Sequence, residues 1–258
     1  MKDWNAKAYE IYHHERMQPS IDLVRRIQKC EVETIIDIGC GTGMSTMQLA
    51  NRWPKAKLIG VDYSESMLEE ARQLPIQVEW LRRDCNKKLS EFRGADIIFS
   101  NASLQWLDDH EIVIKEWFEL LADGGIIAVQ IPLFDEMVAQ ECLNKLIRSE
   151  EWKHYFIDME KETYHNDSAD CYYDMFARYT NQVEMWSTDY FHILESQKAI
   201  IDFISSTALS PYANRLPDKK LWNMFIKELE EQFKICYPSH ENGKVVFKFK
   251  RLFIIAIK

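Results

Sequence analysis

No apolar run in the sequence approaches the roughly 20 residues that a membrane-crossing helix needs. The start, Met1-Lys2-Asp3-Trp4-Asn5, carries no apolar stretch of the kind that directs secretion. No Cys-x-x-Cys pair occurs among the six cysteines, Cys30, Cys40, Cys85, Cys142, Cys171 and Cys236. They are expected to be reduced, mostly buried thiols of a cytoplasmic protein, not zinc ligands or a disulfide framework. The histidines form no His-x-x-x-His pair, so no metal site is expected. An excess of basic residues is missing too, since 32 Lys+Arg against 41 Asp+Glu leaves a net charge of −9. General nucleic-acid binding, which needs basic surface against phosphates, is therefore disfavoured. Internal repeats and low-complexity linkers are absent.

What remains is an ordinary globular composition, 47% hydrophobic and 28% charged over 258 residues. That length suits one large α/β domain, or one with an inserted cap. Short apolar strands are expected over Thr34–Ile38, Lys57–Val61, Gln77–Leu81, Asp96–Phe99 and Ile126–Ile131. Helices alternate with them. Pro19 suits the first position of one that buries Leu23, Val24 and Ile27. Others span Met44–Arg52, then from Ser64 to about Leu74, and a segment in which Val113, Trp117, Leu120 and Leu121 share a face until Asp123-Gly124-Gly125 ends it. This alternation implies a parallel sheet covered on both faces.

After Pro132 the pattern changes. Residues 134 to 181 show no strand pattern and read as a helical cap. Residues 183 to 193 alternate like a strand, Ser196–Thr207 reads as a helix, Leu221, Phe225, Leu229 and Phe233 repeat every four residues, and Lys244–Ile257 is a final strand. The expected division is an N-terminal helical lid over 1–30, a core over 31–133, 182–207 and 244–258, and a cap over 134–181 and 208–243.

The chemistry begins at Asp37-Ile38-Gly39-Cys40-Gly41-Thr42-Gly43, between a strand and a helix, where glycines let the backbone approach a ligand closely. Asp62 ends the second strand and can accept hydrogen bonds from both hydroxyls of a ribose. Asp84 follows the third and can meet an adenine amino group. All three acids fall at the carboxyl ends of strands, where such sheets bind ligands. A nicotinamide dinucleotide and S-adenosylmethionine compete for this geometry. The first carries a pyrophosphate and wants a helix N-terminus without a nearby anion. The second carries a sulfonium and an ammonium, which an acid entering the turn would favour. Asp37 and the spacing Gly-x-Gly-x-Gly, in place of Gly-x-Gly-x-x-Gly, favour S-adenosylmethionine. Asp37 and Asp84 as mere turn caps is the plainer alternative.

This stretch resembles motif I of the class I S-adenosylmethionine-dependent methyltransferases, over about residues 30 to 132. The resemblance implies a Rossmann-like α/β sheet with helices on both faces and an α-helical cap. It also implies a cofactor site of Asp37, Gly39, Gly41, Gly43, Asp62, Asp84 and Asn101. Gly39 and Gly43 would line the methionine part, Asp62 the ribose, Asp84 the adenine, and Asn101 the region beside the sulfonium.

Clues to the methyl acceptor lie outside the motif. The last strand presents Val245, Phe247, Phe249, Arg251, Phe253, Ile255 and Ile257 on one face. An arginine among them is costly unless it is paired, with an internal acid or with an anionic substrate. Trp186, Thr188, Tyr190 and His192 share a face that suits a small polar ligand or ordinary helix packing. Arg16, just before Pro19, either reaches the site or is solvated. Several blocks resemble the trans-aconitate 2-methyltransferase family. They include Asp3-Trp4-Asn5 with Tyr9, Glu15-Arg16, Asn101-Ala102-Ser103-Leu104-Gln105-Trp106-Leu107, Val129-Gln130-Ile131-Pro132, Tyr190 with His192, and Arg251-Leu252-Phe253-Ile254. Thr42 stands where proline is often found.

That resemblance implies esterification of one carboxylate of a small polycarboxylic acid by a monomer with no nucleic-acid or membrane partner. Arg16, Gln105, Trp106, Tyr190, His192 and Arg251 would bind the substrate. A carboxylate is ionised at neutral pH, with a pKa of about 4, so no general base is expected. Alignment then carries the catalysis, an effect worth roughly 7–11 kcal/mol in intramolecular models. Other readings are another carboxylic acid or a malonyl thioester as acceptor, a carbon or hydroxyl acceptor with His110 or His192 as base, a non-catalytic S-adenosylmethionine-binding module, and a nicotinamide oxidoreductase.

Overall fold

The computed structural model describes residues 13–159, 166–205 and 207–258. Asp3, Trp4, Asn5 and Tyr9 lie outside them. The strands are β1 (Thr34–Ile38), β2 (Lys57–Asp62), β3 (Glu79–Arg82), β4 (Ala95–Asn101), β5 (Leu121–Pro132), β6 (Gln182–Leu194) and β7 (Val245–Ile257). The helices are α1 (His13–Arg26), α2 (Met44–Arg52), α3 (Glu65–Ala71), α4 (His110–Leu120), α5 (Val138–Ile147), α6 (Ala169–Ala177), α7 (Gln197–Ser205), α8 (Ser210–Arg215) and α9 (Lys219–Cys236). Two compact units emerge, one of Met1–Pro132, His165–Ser187 and Arg251–Lys258, the other of Leu133–Tyr164 and Thr188–Lys250.

The strands form one seven-stranded sheet in the order β3-β2-β1-β4-β5-β7-β6. β1 to β5 pair in parallel, as their continuous apolar runs require. β7 pairs antiparallel with β5, from Ile126↔Ile257 to Pro132↔Arg251, so the sheet is parallel over the alternating segment and mixed at β7. The apolar runs mark burial on both faces, and an antiparallel strand satisfies that demand equally well. The order reverses beside β1, which puts the ends of β1 and β4 at the switch point where open sheets bind ligands.

In the first unit Ile35, Ile36 and Ile38 of β1 and Ile97, Ile98 and Phe99 of β4 are fully buried. Each such side chain contributes about 1.5–3 kcal/mol of transfer free energy. Asp96 fixes the entry to β1, because its Oδ2 accepts from the backbone N–H groups of Glu33 (2.8 Å) and Thr34 (3.1 Å). Pro19 is not the first residue of α1 but lies inside it. A proline there lacks the N–H for the carbonyl four residues back. The helix tolerates the loss because it buries Leu23 and Val24.

Asp109 caps α4 by accepting from the Ile112 N–H at 3.1 Å. That helix stops at Leu120, and Asp123-Gly124-Gly125 belongs to β5. The glycines do not terminate the helix, since their backbone pairs with the chain end: Gly124 N–H donates to the Lys258 carbonyl and Lys258 N–H to the Gly125 carbonyl.

The second unit is mainly helical. The four-residue repeat of α9 buries Phe225, Leu229 and Phe233. Asp218 caps it through the Leu221 N–H at 2.8 Å. Trp152 is buried edge-on to Phe225 with centroids 5.2 Å apart, and its indole N–H donates to Glu228 at 2.7 Å. Among the cysteines, Cys40, Cys85 and Cys142 are buried while Cys30 and Cys171 are exposed. No helix among the described residues is long and apolar enough to cross a membrane.

Replacing Asp109 by alanine removes the α4 cap and should lower unfolding stability by about 1 kcal/mol. Urea denaturation followed by circular dichroism reads this. An unchanged midpoint would mean the cap carries no weight.

Candidate active site

The turn after β1 is built by its own backbone. Gly39 and Cys40 N–H donate to the Val61 carbonyl at 2.8 and 3.0 Å, and Gly43 N–H donates to the Cys40 carbonyl at 2.9 Å. Gly39 has φ of +71°, a region that side chains disfavour, and a Cβ there would stand 1.8 Å from the Ser103 hydroxyl oxygen. The loop after β4 is therefore pressed against the glycine turn. Gly41 is different, because a Cβ added to it would meet nothing within 4 Å. The backbone is open to a ligand at that point.

Asp62, at the end of β2, holds both sides of the turn. Its Oδ2 accepts from Gly41 N–H and its Oδ1 from Ser64 N–H, each at 2.8 Å. Asp37 is 1% exposed. Its Oδ2 accepts from the hydroxyls of Ser45 (2.9 Å) and Thr46 (2.6 Å) at the start of α2. Its Oδ1 is enclosed and meets no donor among the described residues.

Burial pushes the Asp37 carboxyl up to about 6, assisted by the charge of Asp62 and opposed by the two hydroxyls. Between the usual carboxylate range and that value, the folded protein keeps a proton that the unfolded chain releases. This group thus lowers stability as pH rises through that window. Burial also holds the Cys40 thiol well above its ordinary value and pushes Cys85 up to about 12, so both stay neutral.

An enclosed carboxylate oxygen without a donor, next to an open backbone, fits a ligand that brings a cation. Asp37 and the glycine turn thus suit the ammonium and sulfonium of S-adenosylmethionine and ill suit a pyrophosphate. Asp84 is half-buried. It accepts from Asn86 N–H at 3.1 Å and lies 3.6 Å from the Lys87 ammonium, so it shapes the turn after β3.

Asn101 ends β4, with its Oδ1 enclosed and no donor to it among the described residues. Ala102 follows at φ 54°, its N–H bonded to the Gln130 carbonyl. The buried Gln105 donates to the Ala102 carbonyl at 2.8 Å, and Trp106 is half-buried in the same short turn, Leu104–Trp106. These residues meet the glycine turn through the Gly39–Ser103 contact.

Arg251 on β7 is 5% exposed, and its Nη1 donates to Oε1 of Gln130 on β5 at 3.0 Å. One internal partner of the guanidinium is therefore an amide. Gln130 is a residue that reasoning passed over, although one polar side chain in the apolar run Ile126–Ile131 was a visible signal. Ser45 and Thr46, which hold Asp37, were also missed. Arg16 is buried on α1 of the first unit. Tyr190 and His192 lie on β6 in the second unit. His192 is buried there among Phe203, Phe247 and Phe249, with ring centroids 5.2–6.3 Å away.

A family model described as a methyltransferase domain matches residues 35–125. Trans-aconitate 2-methyltransferase of Escherichia coli is 35% identical over 99% of this chain and 98% of its own length. The protein of the same name from Shigella dysenteriae shows the same figures. Among solved structures, the YcgJ protein from Bacillus subtilis aligns with a TM-score of 0.58 at 19% identity, covering 95% of this chain and 99% of that one. Haemonchus contortus phosphoethanolamine N-methyltransferase 2 in complex with S-adenosyl-L-methionine aligns with a TM-score of 0.59 at 14% identity, covering 96% of this chain and 56% of that one.

Two substitutions separate structure from binding. Gly39→Ala should destabilise the fold by about 2–4 kcal/mol, because its Cβ overlaps Ser103. Gly41→Ala should cost only about 1–2 kcal/mol yet weaken cofactor binding at least tenfold. Thermal unfolding and titration calorimetry read both, and equal melting losses would contradict the assignment. The Asp37 carboxyl gives a pH test. Affinity for S-adenosylmethionine should fall about tenfold per unit below about pH 6 and level off above it, and Asp37→Asn should remove the slope. A pH-independent affinity in the unmodified protein would refute a charged Asp37 contact.

Proposed function

The chain belongs to the trans-aconitate 2-methyltransferase family and is an S-adenosylmethionine-dependent methyltransferase, and from that premise we propose that it esterifies one carboxylate of a small polycarboxylic acid, trans-aconitate being the first candidate. The observation that carries this reading is Arg251. It is a buried guanidinium on an apolar strand at the carboxyl end of β5, with its Nη1 donating to the Gln130 amide. A buried cation of this kind is suited to a carboxylate, which guanidinium grips in bidentate fashion.

When bound, S-adenosylmethionine supplies a methyl group made electrophilic by its sulfonium. In the proposed site Asp37 and the glycine turn take its cationic portion, Asp62 its ribose and Asp84 its adenine. Asn101 stands beside the sulfonium, and Trp106 keeps water from the reacting groups. Arg251 and Arg16 hold the carboxylates that do not react, with Gln105 as a hydrogen-bond partner. This allocation has an electrostatic reason. The attacking carboxylate loses charge in the transition state, so a strong cation on it would favour the ground state and slow the reaction. No side chain needs to remove a proton, because the acid is ionised at neutral pH. The net charge of −9 opposes the approach of a polyanion, so local basic groups must outweigh it.

One observation favours a second reading, methylation of a hydroxyl or acidic carbon. The buried His110 has Nδ1 2.9 Å from the Tyr172 hydroxyl and 3.5 Å from an Asp167 carboxylate oxygen, an arrangement that orients a base.

Incubation with labelled S-adenosylmethionine and a panel of di- and tricarboxylic acids, read by mass spectrometry, separates the two. The proposal expects a monomethyl ester and no rate-limiting base in the pH profile. Arg251→Ala should raise KM for the acid at least tenfold with cofactor affinity nearly intact. Transfer only to hydroxyls, with His110→Ala abolishing it, would favour the second reading.

A further inference from the structure

The following rests on the polycarboxylate reading above. We infer that Gln130 is a positioning residue for acid recognition: it aims the Arg251 guanidinium and offers its own amide N–H to the same substrate carboxylate.

Gln130 is fully buried in a strand whose neighbours are Ala128, Val129 and Ile131, all fully buried as well. A polar side chain in such a place is costly unless its groups are satisfied. Half of the amide is accounted for, since Oε1 accepts from Arg251 Nη1 at 3.0 Å. A guanidinium only donates, so it fixes which end of the amide faces it. The NH2 group must then point away from Arg251, and it is enclosed with no acceptor among the described residues. A strand built to exclude polar groups thus carries a buried donor that fits an incoming acceptor.

Register places this donor at the expected end of the sheet. Asn101, the last residue of β4, is the partner of Gln130, and Gln130 in turn is opposite Phe253. Arg251 is opposite Pro132, two residues along from Gln130, so Asn101, Gln130 and Arg251 share one face. That face ends at the carboxyl termini of β4 and β5, beside the glycine turn.

A glutamate at this position has no N–H to offer a substrate carboxylate and would add a negative charge beside Arg251. An apolar residue would remove both the bond to Arg251 Nη1 and the donor.

Gln130→Glu and Gln130→Met test this in the full-length enzyme. Both variants should raise KM for trans-aconitate at least tenfold, with the melting temperature kept and S-adenosylmethionine affinity within twofold by calorimetry. The loss should be larger for tricarboxylates than for monocarboxylic acids, which lack the carboxylate in question. Unchanged KM in both variants, or a parallel fall in cofactor affinity and melting temperature, would overturn the inference and leave the polycarboxylate reading standing. Failure of the unmodified enzyme to methylate any carboxylic acid would overturn both.

Discussion

A carboxylate kept inside the protein at the end of β1 sets the terms for the rest of the site. Asp37 is enclosed, one oxygen is occupied by the hydroxyls of Ser45 and Thr46, and burial has raised its affinity for a proton. The same hydroxyls tie the strand end to the first turn of α2. The glycine turn must pass between them, and Asp62 pins it from β2 through Gly41. Charge, turn geometry and the direction of α2 are thus one constraint. A cation placed against Asp37 would relieve the cost of its ionisation, which makes ligand binding and local stability parts of the same equilibrium.

The first unit manages the opposite charge by a different device. Arg251 is buried among apolar strands, and its guanidinium donates to the Gln130 amide. An acid-rimmed turn for a cationic donor, after β1, and a guanidinium for an anionic acceptor, on β7 opposite the end of β5, thus belong to one sheet. The protein's overall negative charge makes that local arrangement more necessary, since long-range attraction cannot deliver an acid to the site.

Much of this was legible in the sequence, for identifiable reasons. β1, β2 and α2 fell where uninterrupted apolar runs met a glycine-rich turn, and Ser64 had the position and chemistry of a cap. Pro19 misled because proline usually opens a helix, whereas here apolar burial sustains α1 through it. Asp123-Gly124-Gly125 had the composition of a helix stop, but its backbone groups pair with Lys258, a contact 133 residues away that no local pattern reveals. Arg251 stood out as a charge on an apolar face. Its pairing with Gln130 did not, because the register between β5 and β7 is set across a long excursion of chain.

The same distinction applies to the site residues. Asp37, Asp62 and the glycines are near one another in sequence order and strand position, so chemistry alone could group them. Arg16, Tyr190 and His192 come from distant segments; a strand face and a position before Pro19 suggested a ligand contact, and the resemblance to a family made that ligand an acid.

The most direct measurement is a titration of the Asp37 side-chain carboxyl by carbon-detected NMR, with and without S-adenosylmethionine. The account predicts a midpoint near 6 in the free protein and a clear downward shift on binding. An ordinary carboxylate midpoint near about 4 that the cofactor leaves unmoved would contradict it.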